Sequence, residues 1–129
     1  MELNVNSPAY YKDLHGIDDE VYRFFQKAYT FFLDKEYSST LKIVGVFPIV
    51  VPDELYNSGL WKESLRLVNY KSCAIVSLRI NFEKYDCADS VGKIQLTKET
   101  ILKALRKLRS KVDFDYETFE RDLNQFSID

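Results

Sequence analysis

The stretch CAIVSLRINF, which runs from Cys73 to Phe82, alternates between apolar and polar side chains along most of its length. Its even-numbered positions are all apolar, whereas Ser77, Arg79 and Asn81 stand at odd-numbered positions. Because successive side chains of a strand point to opposite faces of the sheet, this pattern predicts a strand with one buried and one polar face. We therefore expect a sheet whose helices lie mainly on one side.

The stretch LKIVGVFPIVV, from Leu41 to Val51, is almost continuously apolar. Such a run is typical of a strand that is covered on both faces or lies in the middle of a sheet. Pro48 has no N–H group, so the strand should bulge or have a free edge there. A shorter strand is predicted over Glu63 to Tyr70, and Lys93 to Leu96 is a candidate fourth strand.

Helical patterns flank these strands. Apolar residues recur at helical spacing after Asp18 or Asp19, which predicts a helix that ends near Lys35. Residues 1–17 before it are polar with scattered tyrosines, and we expect them to form a loosely attached arm.

Two helices are predicted near the C-terminus. Thr97 is expected to cap the first of them, after an acidic loop over residues 83–92. Asp115 is expected to cap the second, with Phe114 packed on Phe119 as a hydrophobic staple. The predicted fold is one α+β domain over residues 1–129, in which an N-terminal helix precedes an antiparallel three- or four-stranded meander and two C-terminal helices.

The composition is that of an ordinary globular protein. Of the 129 residues, 46% are apolar and 29% are charged, and the formal net charge is −2. A nucleic-acid-binding protein usually carries a positive surface, so this balance argues against nucleic acid as the partner. The chain has no apolar run of about 18 residues and no signal-peptide pattern, which predicts a cytoplasmic protein that does not span the membrane.

The residues that usually carry catalysis are sparse. His15 is the only histidine and the two cysteines, Cys73 and Cys87, have no spacing that predicts a metal site. Two aspartates flank Cys87 and would disfavour its thiolate. The sequence therefore predicts no enzyme activity, no cofactor and no metal, although paired carboxylates such as Asp53-Glu54 keep a small carboxylate enzyme as an alternative.

Charge is segregated near the C-terminus. Residues 93–111 contain seven basic side chains and one acidic side chain, whereas residues 112–129 contain six acidic side chains and one basic side chain. The two helices either pair their charges with each other or present separate patches. A free basic face over Thr97 to Lys111 would fit a nucleic-acid-associated or regulatory module, which stays open as an alternative.

The stretch PDELYNSGLW, from Pro52 to Trp61, is the other candidate interaction surface. It combines acidic residues with Tyr56 and the only tryptophan, a mixture that protein interfaces use. Its apolar members would alternatively plug one end of the core.

A chain of this size that is acidic, rich in Tyr and Phe, poor in catalytic residues and segregated in charge resembles the immunity proteins of bacterial polymorphic-toxin and contact-dependent inhibition systems. The resemblance implies a protein that binds one cognate toxin domain and blocks its active site or substrate groove. It covers the general character of the chain and transfers no residue roles; a homo-oligomer also stays open. From the charges and aromatic residues themselves, the predicted partner-binding residues are Asp53, Glu54, Tyr56, Trp61, Asp86, Asp89, Glu117 and Glu120.

Overall fold

The computed structural model describes residues 1–16, 19–59 and 61–126, and for residues 13–16 it describes the backbone only. The predicted α+β class is confirmed. The strands are β1 (Glu2–Val5), β2 (Ala9–Tyr10), β3 (Asp13–Gly16), β4 (Ile43–Val51), β5 (Ser64–Val68) and β6 (Cys73–Asn81). The helices are α1 (Asp19–Phe32), α2 (Asp53–Ser58), α3 (Phe82–Asp86), α4 (Ser90–Leu105), which continues as a 3₁₀ segment (Arg106–Ser110), and α5 (Tyr116–Gln125).

The six strands form one mixed sheet in the order β3-β2-β4-β6-β5, and β1 pairs with the first half of β4. The predicted antiparallel meander is wrong, because β4 and β6 lie parallel over their whole length. After β4 the chain passes through α2 to the far side of β6, and β5 then returns antiparallel beside it. Sequence proximity favours pairing between consecutive strands, and nothing in residues 52–63 reveals this crossing.

Pro48 lies where β4 changes its neighbour. β1 pairs with residues 43–46 of β4, and β2 pairs with residues 49–50. The carbonyls of Val46 and Val50 face this edge, since they accept hydrogen bonds from the backbone N–H groups of Asn6 and Tyr11. Backbone groups two residues apart in a strand point to the same side, so the nitrogen of Pro48 also points to this edge, into the gap between β1 and β2. The predicted free edge at Pro48 is therefore confirmed.

The expected loose arm is wrong for its described part. Leu3 and Val5 of β1 are buried in the core, and β1 continues the sheet beside β4. The amino group of Met1 donates a hydrogen bond to the carbonyl of Phe32, which closes the end of α1 (2.9 Å). The apolar alternation in β1 covers only four residues, which is too short to separate a strand from a polar loop.

The region between β6 and the last helix is mainly helical. Phe82–Asp86 forms α3 instead of a loop, and the candidate strand over residues 93–96 lies inside α4. Thr97 does not cap a helix; it is buried within α4, and its hydroxyl donates to the carbonyl of Lys93 (2.8 Å). The cap is Asp89, whose carboxylate accepts the N–H of Gly92 (2.8 Å). Both residue types cap helices, and the packing against β6 decides between them.

The core lies between one face of the sheet and three helices. Most even-numbered residues of β4 and β6 are buried there in one cluster with residues of α1, α4 and α5. Val50 and Ile80, at the ends of these strands, form a second, smaller cluster with Tyr85 of α3. The predicted alternation in β6 is confirmed, as are the cap and the staple of α5. The carboxylate of Asp115 accepts the N–H of Thr118, and the rings of Phe114 and Phe119 lie 5.6 Å apart. The one-domain organisation stays a prediction.

Candidate functional site

The acidic turn that follows β4 is a short helix at one end of the sheet. α2 begins directly after Pro52, with Asp53 and Glu54 in its first turn, where carboxylates favour the helix dipole. Gly59 ends it with a left-handed backbone (φ 75°), a conformation that glycine adopts without a steric penalty.

Arg79 holds α2 against the sheet. It lies on the face of β6 opposite the core, and its guanidinium stacks on the ring of Tyr56 at 4.1 Å. The same group donates hydrogen bonds to the carbonyls of Tyr56 (2.7 Å) and Trp61 (3.1 Å). One cation from the strand thus binds both the middle and the last residue of the segment from Pro52 to Trp61.

Carboxylates gather beyond the ends of β4 and β6. Because these strands are parallel and Val51 pairs with Asn81, the segments that follow them meet at the same end of the sheet. Asp53 accepts a hydrogen bond from the Asn81 amide (2.6 Å), and a hydrogen bond with Asp53 raises the pKa of Glu83 above its usual value. Glu83 was missing from the predicted set, because only the parallel register brings it to Asp53.

The remaining predicted residues at this end have separate roles. Asp86 is exposed at the end of α3, one turn beyond Glu83. Asp89 is exposed as well, and its carboxylate caps α4. Trp61 is half-buried, and its ring meets that of Tyr11 edge to face (6.4 Å between centroids). The predicted residues Asp53, Glu54 and Asp86 lie at this end of the sheet together with Glu83, and we call these four residues the acidic end.

The structure does not bring Glu117 and Glu120 to the acidic end. Both lie on α5, in the helical layer on the other face of the sheet. Glu117 accepts a hydrogen bond from Arg109 (2.6 Å), and Glu120 accepts one from the hydroxyl of Tyr116 (3.1 Å). The question left open by the segregated charges is answered in part, since the basic and acidic segments pair with each other here.

The basic segment is also engaged elsewhere. Lys98 is buried and donates to the carbonyl of Phe126 (3.2 Å), and burial lowers the pKa of its ammonium group. The guanidinium groups of Arg106 and Arg109 lie 5.4 and 5.2 Å from the ring centre of Tyr116. Lys107 lies 4.0 Å from the carboxylate of Glu63. These contacts leave less of the segment available to phosphate than its sequence suggests.

An apolar surface that the prediction missed lies on the sheet face opposite the helices. Ile43 and Phe47 of β4 are 36% and 41% exposed, although both belong to a central strand. Ile75 and Val68, on β6 and β5, lie beside them and are half-buried. We call these four residues the open face. The continuous apolarity of β4 suggested cover on both sides, whereas α2 covers this face only near Arg79.

The chemistry available at these surfaces suits binding. In the described ranges, no group of three or more histidine, cysteine, aspartate and glutamate side chains is placed to hold a metal ion. No helix among the described residues has the length and apolarity needed to cross a membrane. The acidic end supplies charged residues of the kind found at the border of protein interfaces, and the neighbouring open face supplies apolar residues of the kind found at their centre.

Comparison with known proteins gives one result for the whole chain. A family model described as "Immunity protein 44" matches residues 1–129. No curated protein and no solved structure matches the chain.

Proposed function

The chain belongs to the immunity protein 44 family, and from this premise we propose that it inhibits a cognate toxin by binding it, without chemistry of its own. The resemblance to polymorphic-toxin immunity proteins is confirmed by this membership. The full-length family match carries the proposal. Blocking of the toxin's active site or substrate groove is our preferred mechanism, because an inhibitor without catalytic groups must act by occupying a surface.

We place the toxin contact on the acidic end and the neighbouring open face. The acidic end presents four carboxylates, of which Glu54, Glu83 and Asp86 are exposed. Fully exposed carboxylates at the border of an interface steer a basic partner towards it and suppress acidic partners. The toxin surface that fits is therefore basic, as the substrate grooves of enzymes acting on nucleic acids are.

The open face supplies the apolar part of the contact. Ile43 pairs with both β1 and β6, and Phe47 pairs with Ser77 of β6, so the sheet fixes the backbone from which both side chains project. Aromatic side chains at the centre of an interface usually carry most of its binding energy. Tyr56 and Trp61 belong to the segment from Pro52 to Trp61, but the ring of Tyr56 is already stacked against the guanidinium of Arg79. We accordingly expect Phe47 to contribute more to binding than Tyr56.

The test is a measurement of binding and inhibition with the purified cognate toxin domain. The parent should form a complex with the toxin domain and abolish its activity. The double variant Glu54→Lys/Asp86→Lys should bind at least about tenfold more weakly, since reversed charges repel a basic partner. Both residues are exposed, so the variant should keep the parent's unfolding midpoint.

A matched control changes the same amount of charge elsewhere. Glu99→Lys/Glu117→Lys reverses two exposed acids of the helical layer and should leave binding unchanged. Loss of binding in this control, with normal binding by Glu54→Lys/Asp86→Lys, would place the toxin on the helical layer and refute the acidic end. Absence of any complex with the parent protein would refute the proposed function.

A further inference from the structure

The turn between β5 and β6 has an unusual backbone. Asn69, Tyr70 and Lys71 follow one another and all have positive φ angles (53°, 56° and 66°). This left-handed conformation suits glycine and is tolerated by asparagine, but a bulky residue such as tyrosine is rarely found in it, because its Cβ crowds the backbone. The turn is nevertheless held in place, since the N–H and the hydroxyl of Ser72 both donate to the carbonyl of Asn69 (3.1 and 2.7 Å).

The packing of the chain gives no reason for a tyrosine at this position. Tyr70 is 101% exposed, and no hydrogen bond or ring contact with the described residues engages its side chain. A glycine or an asparagine would fit the turn with less strain and would lose no packing. A strained and fully exposed aromatic residue is explained by a partner that buries its ring, as happens to tyrosines at the centre of interfaces.

The turn adjoins the open face. The carbonyl of Ser72 accepts hydrogen bonds from the N–H groups of Lys42 and Ile43 (2.8 and 3.1 Å), which ties the turn to the start of β4. Val68 is the last residue of β5 before the turn, and it lies in one row across the sheet with Ile43. The apolar residues of the open face therefore begin beside the turn.

We propose that Tyr70 is an anchor for the cognate toxin, which covers the open face from the acidic end to this turn. The inference rests on the proposed function and adds the second end of the contact surface. β4 has nine residues, so its two ends lie about 26 Å apart at the usual rise of a strand. An ordinary interface buries about 800 Å² on each partner, which is about 30 Å across if its outline is circular. One toxin domain can therefore reach both ends.

The charge around Tyr70 indicates the chemistry of the toxin surface that fits there. Lys71 is exposed next to it, and Arg66 is exposed on the side of β5 that belongs to the open face. No ion pair with a described residue engages either cation. The carboxylate of Glu2 belongs to β1, on the far side of β4 from the turn, and this residue is half-buried. The matching toxin surface therefore has a basic patch and, roughly 25 Å from it, an apolar hollow with acidic side chains at its border.

The substitution Tyr70→Asn separates binding from stability. Asparagine tolerates the left-handed conformation, so the variant should melt at the parent's temperature or above it. Its dissociation constant for the purified cognate toxin domain should rise about tenfold or more, because the ring is lost from the contact. Tyr22→Ala is the control. It removes a tyrosine that is 36% exposed on α1, in the helical layer, and should leave the dissociation constant unchanged.

Hydroxyl-radical footprinting of the parent protein, mapped by mass spectrometry, gives a readout that does not depend on a variant. In the unbound protein Tyr70 should be oxidised more quickly than Tyr22, because its side chain is fully exposed. Saturation with the toxin domain should slow the oxidation of Tyr70 about tenfold or more and leave that of Tyr22 unchanged, since an anchor is shielded from water in the complex.

The outcomes separate this inference from the proposed function. A complex in which Tyr70 is oxidised as quickly as in the free protein would overturn the anchor and leave the inhibitor function intact, as would a folded Tyr70→Asn variant that binds like the parent. If Tyr70→Asn melts well below the parent, the ring stabilises the fold and the footprint on the parent decides alone. If the toxin domain does not bind, both the inhibitor function and the anchor are refuted.

Discussion

Among single residues, Arg79 connects the sheet to the proposed toxin surface. Its position on the polar face of β6 suggests a solvated side chain, yet the guanidinium bonds two carbonyls and stacks on Tyr56. Sequence alternation reports the face on which a residue lies, and it cannot report that a later helix folds back over that face. The polar side of a strand is therefore a poor guide to which residues are dispensable.

Arg79→Ala should lower the free energy of unfolding by about 1–3 kcal/mol, because the carbonyls of Tyr56 and Trp61 lose their donor. Urea denaturation followed by Trp61 fluorescence measures the change directly. Arg66→Ala is the control, since Arg66 is exposed on β5 and faces the same side of the sheet. It should change stability by less than about 0.5 kcal/mol. Equal effects at the two positions would contradict the anchoring role of Arg79.

Asp113 connects distant parts of the chain. Its carboxylate accepts hydrogen bonds from the Ser38 hydroxyl and the Ser39 N–H (both 2.9 Å), and from the Ser39 hydroxyl. The bonds from Ser39, and then that from Ser38, hold the pKa of Asp113 far below its usual 3.8. A pKa that is depressed by folding stabilises the protein above the unfolded value, and this stabilisation is lost as the pH falls further.

Asp113→Asn should therefore lower the melting temperature at pH 7. The difference from the parent should persist down to about pH 4 and shrink in more acid solution, where the parent also loses its charge. Thermal unfolding across this range is the measurement, and Asp86→Asn, an exposed change on α3, should give a profile parallel to the parent's. A constant difference at every pH would show that the charge of Asp113 is not responsible.

At the scale of elements, β6 tests the alternation on which the fold depends. Leu78 is fully buried between the sheet and the helices, and Leu78→Ala should cost about 2–5 kcal/mol. Ser77, the preceding residue, is directed to the open face and pairs with Phe47. Ser77→Ala should cost less than about 0.5 kcal/mol. Similar unfolding midpoints for the two variants in guanidinium chloride would show that the register of β6 is wrong.

The same elements show what the sequence can and cannot predict. α1, β4, β6 and α5 follow from periodicity and capping, because each pattern extends over enough residues to be distinctive. β1 is too short for this, and the start of α4 offers two plausible caps, Asp89 and Thr97. The parallel pairing of β4 and β6 depends on where the intervening chain crosses, which no local pattern encodes. Glu83 and the open face could not be predicted without that pairing.

For the whole molecule, the distribution of charge matters more than its sum. The net charge is only −2, but basic and acidic groups of the C-terminal segments compensate each other, as Arg109 and Glu117 do. The acidic end keeps its exposed carboxylates away from that pairing. A partner approaching the molecule therefore meets a local negative surface that the net charge conceals.

This surface should control the rate at which a basic toxin associates. Raising the salt concentration from about 50 to 500 mM shortens the screening length from roughly 14 to 4 Å. The association rate constant, measured by stopped flow or surface plasmon resonance, should then fall about tenfold or more, while the dissociation rate changes little, since exposed charges act mainly on association.

Glu54→Lys/Asp86→Lys should associate slowly at every salt concentration. Phe47→Ala should dissociate faster with a nearly normal association rate, because an exposed aromatic side chain contributes after the two proteins have met. Association of the parent that is equally fast in low and high salt would contradict steering by the acidic end. A toxin that binds through the open face alone would give that result.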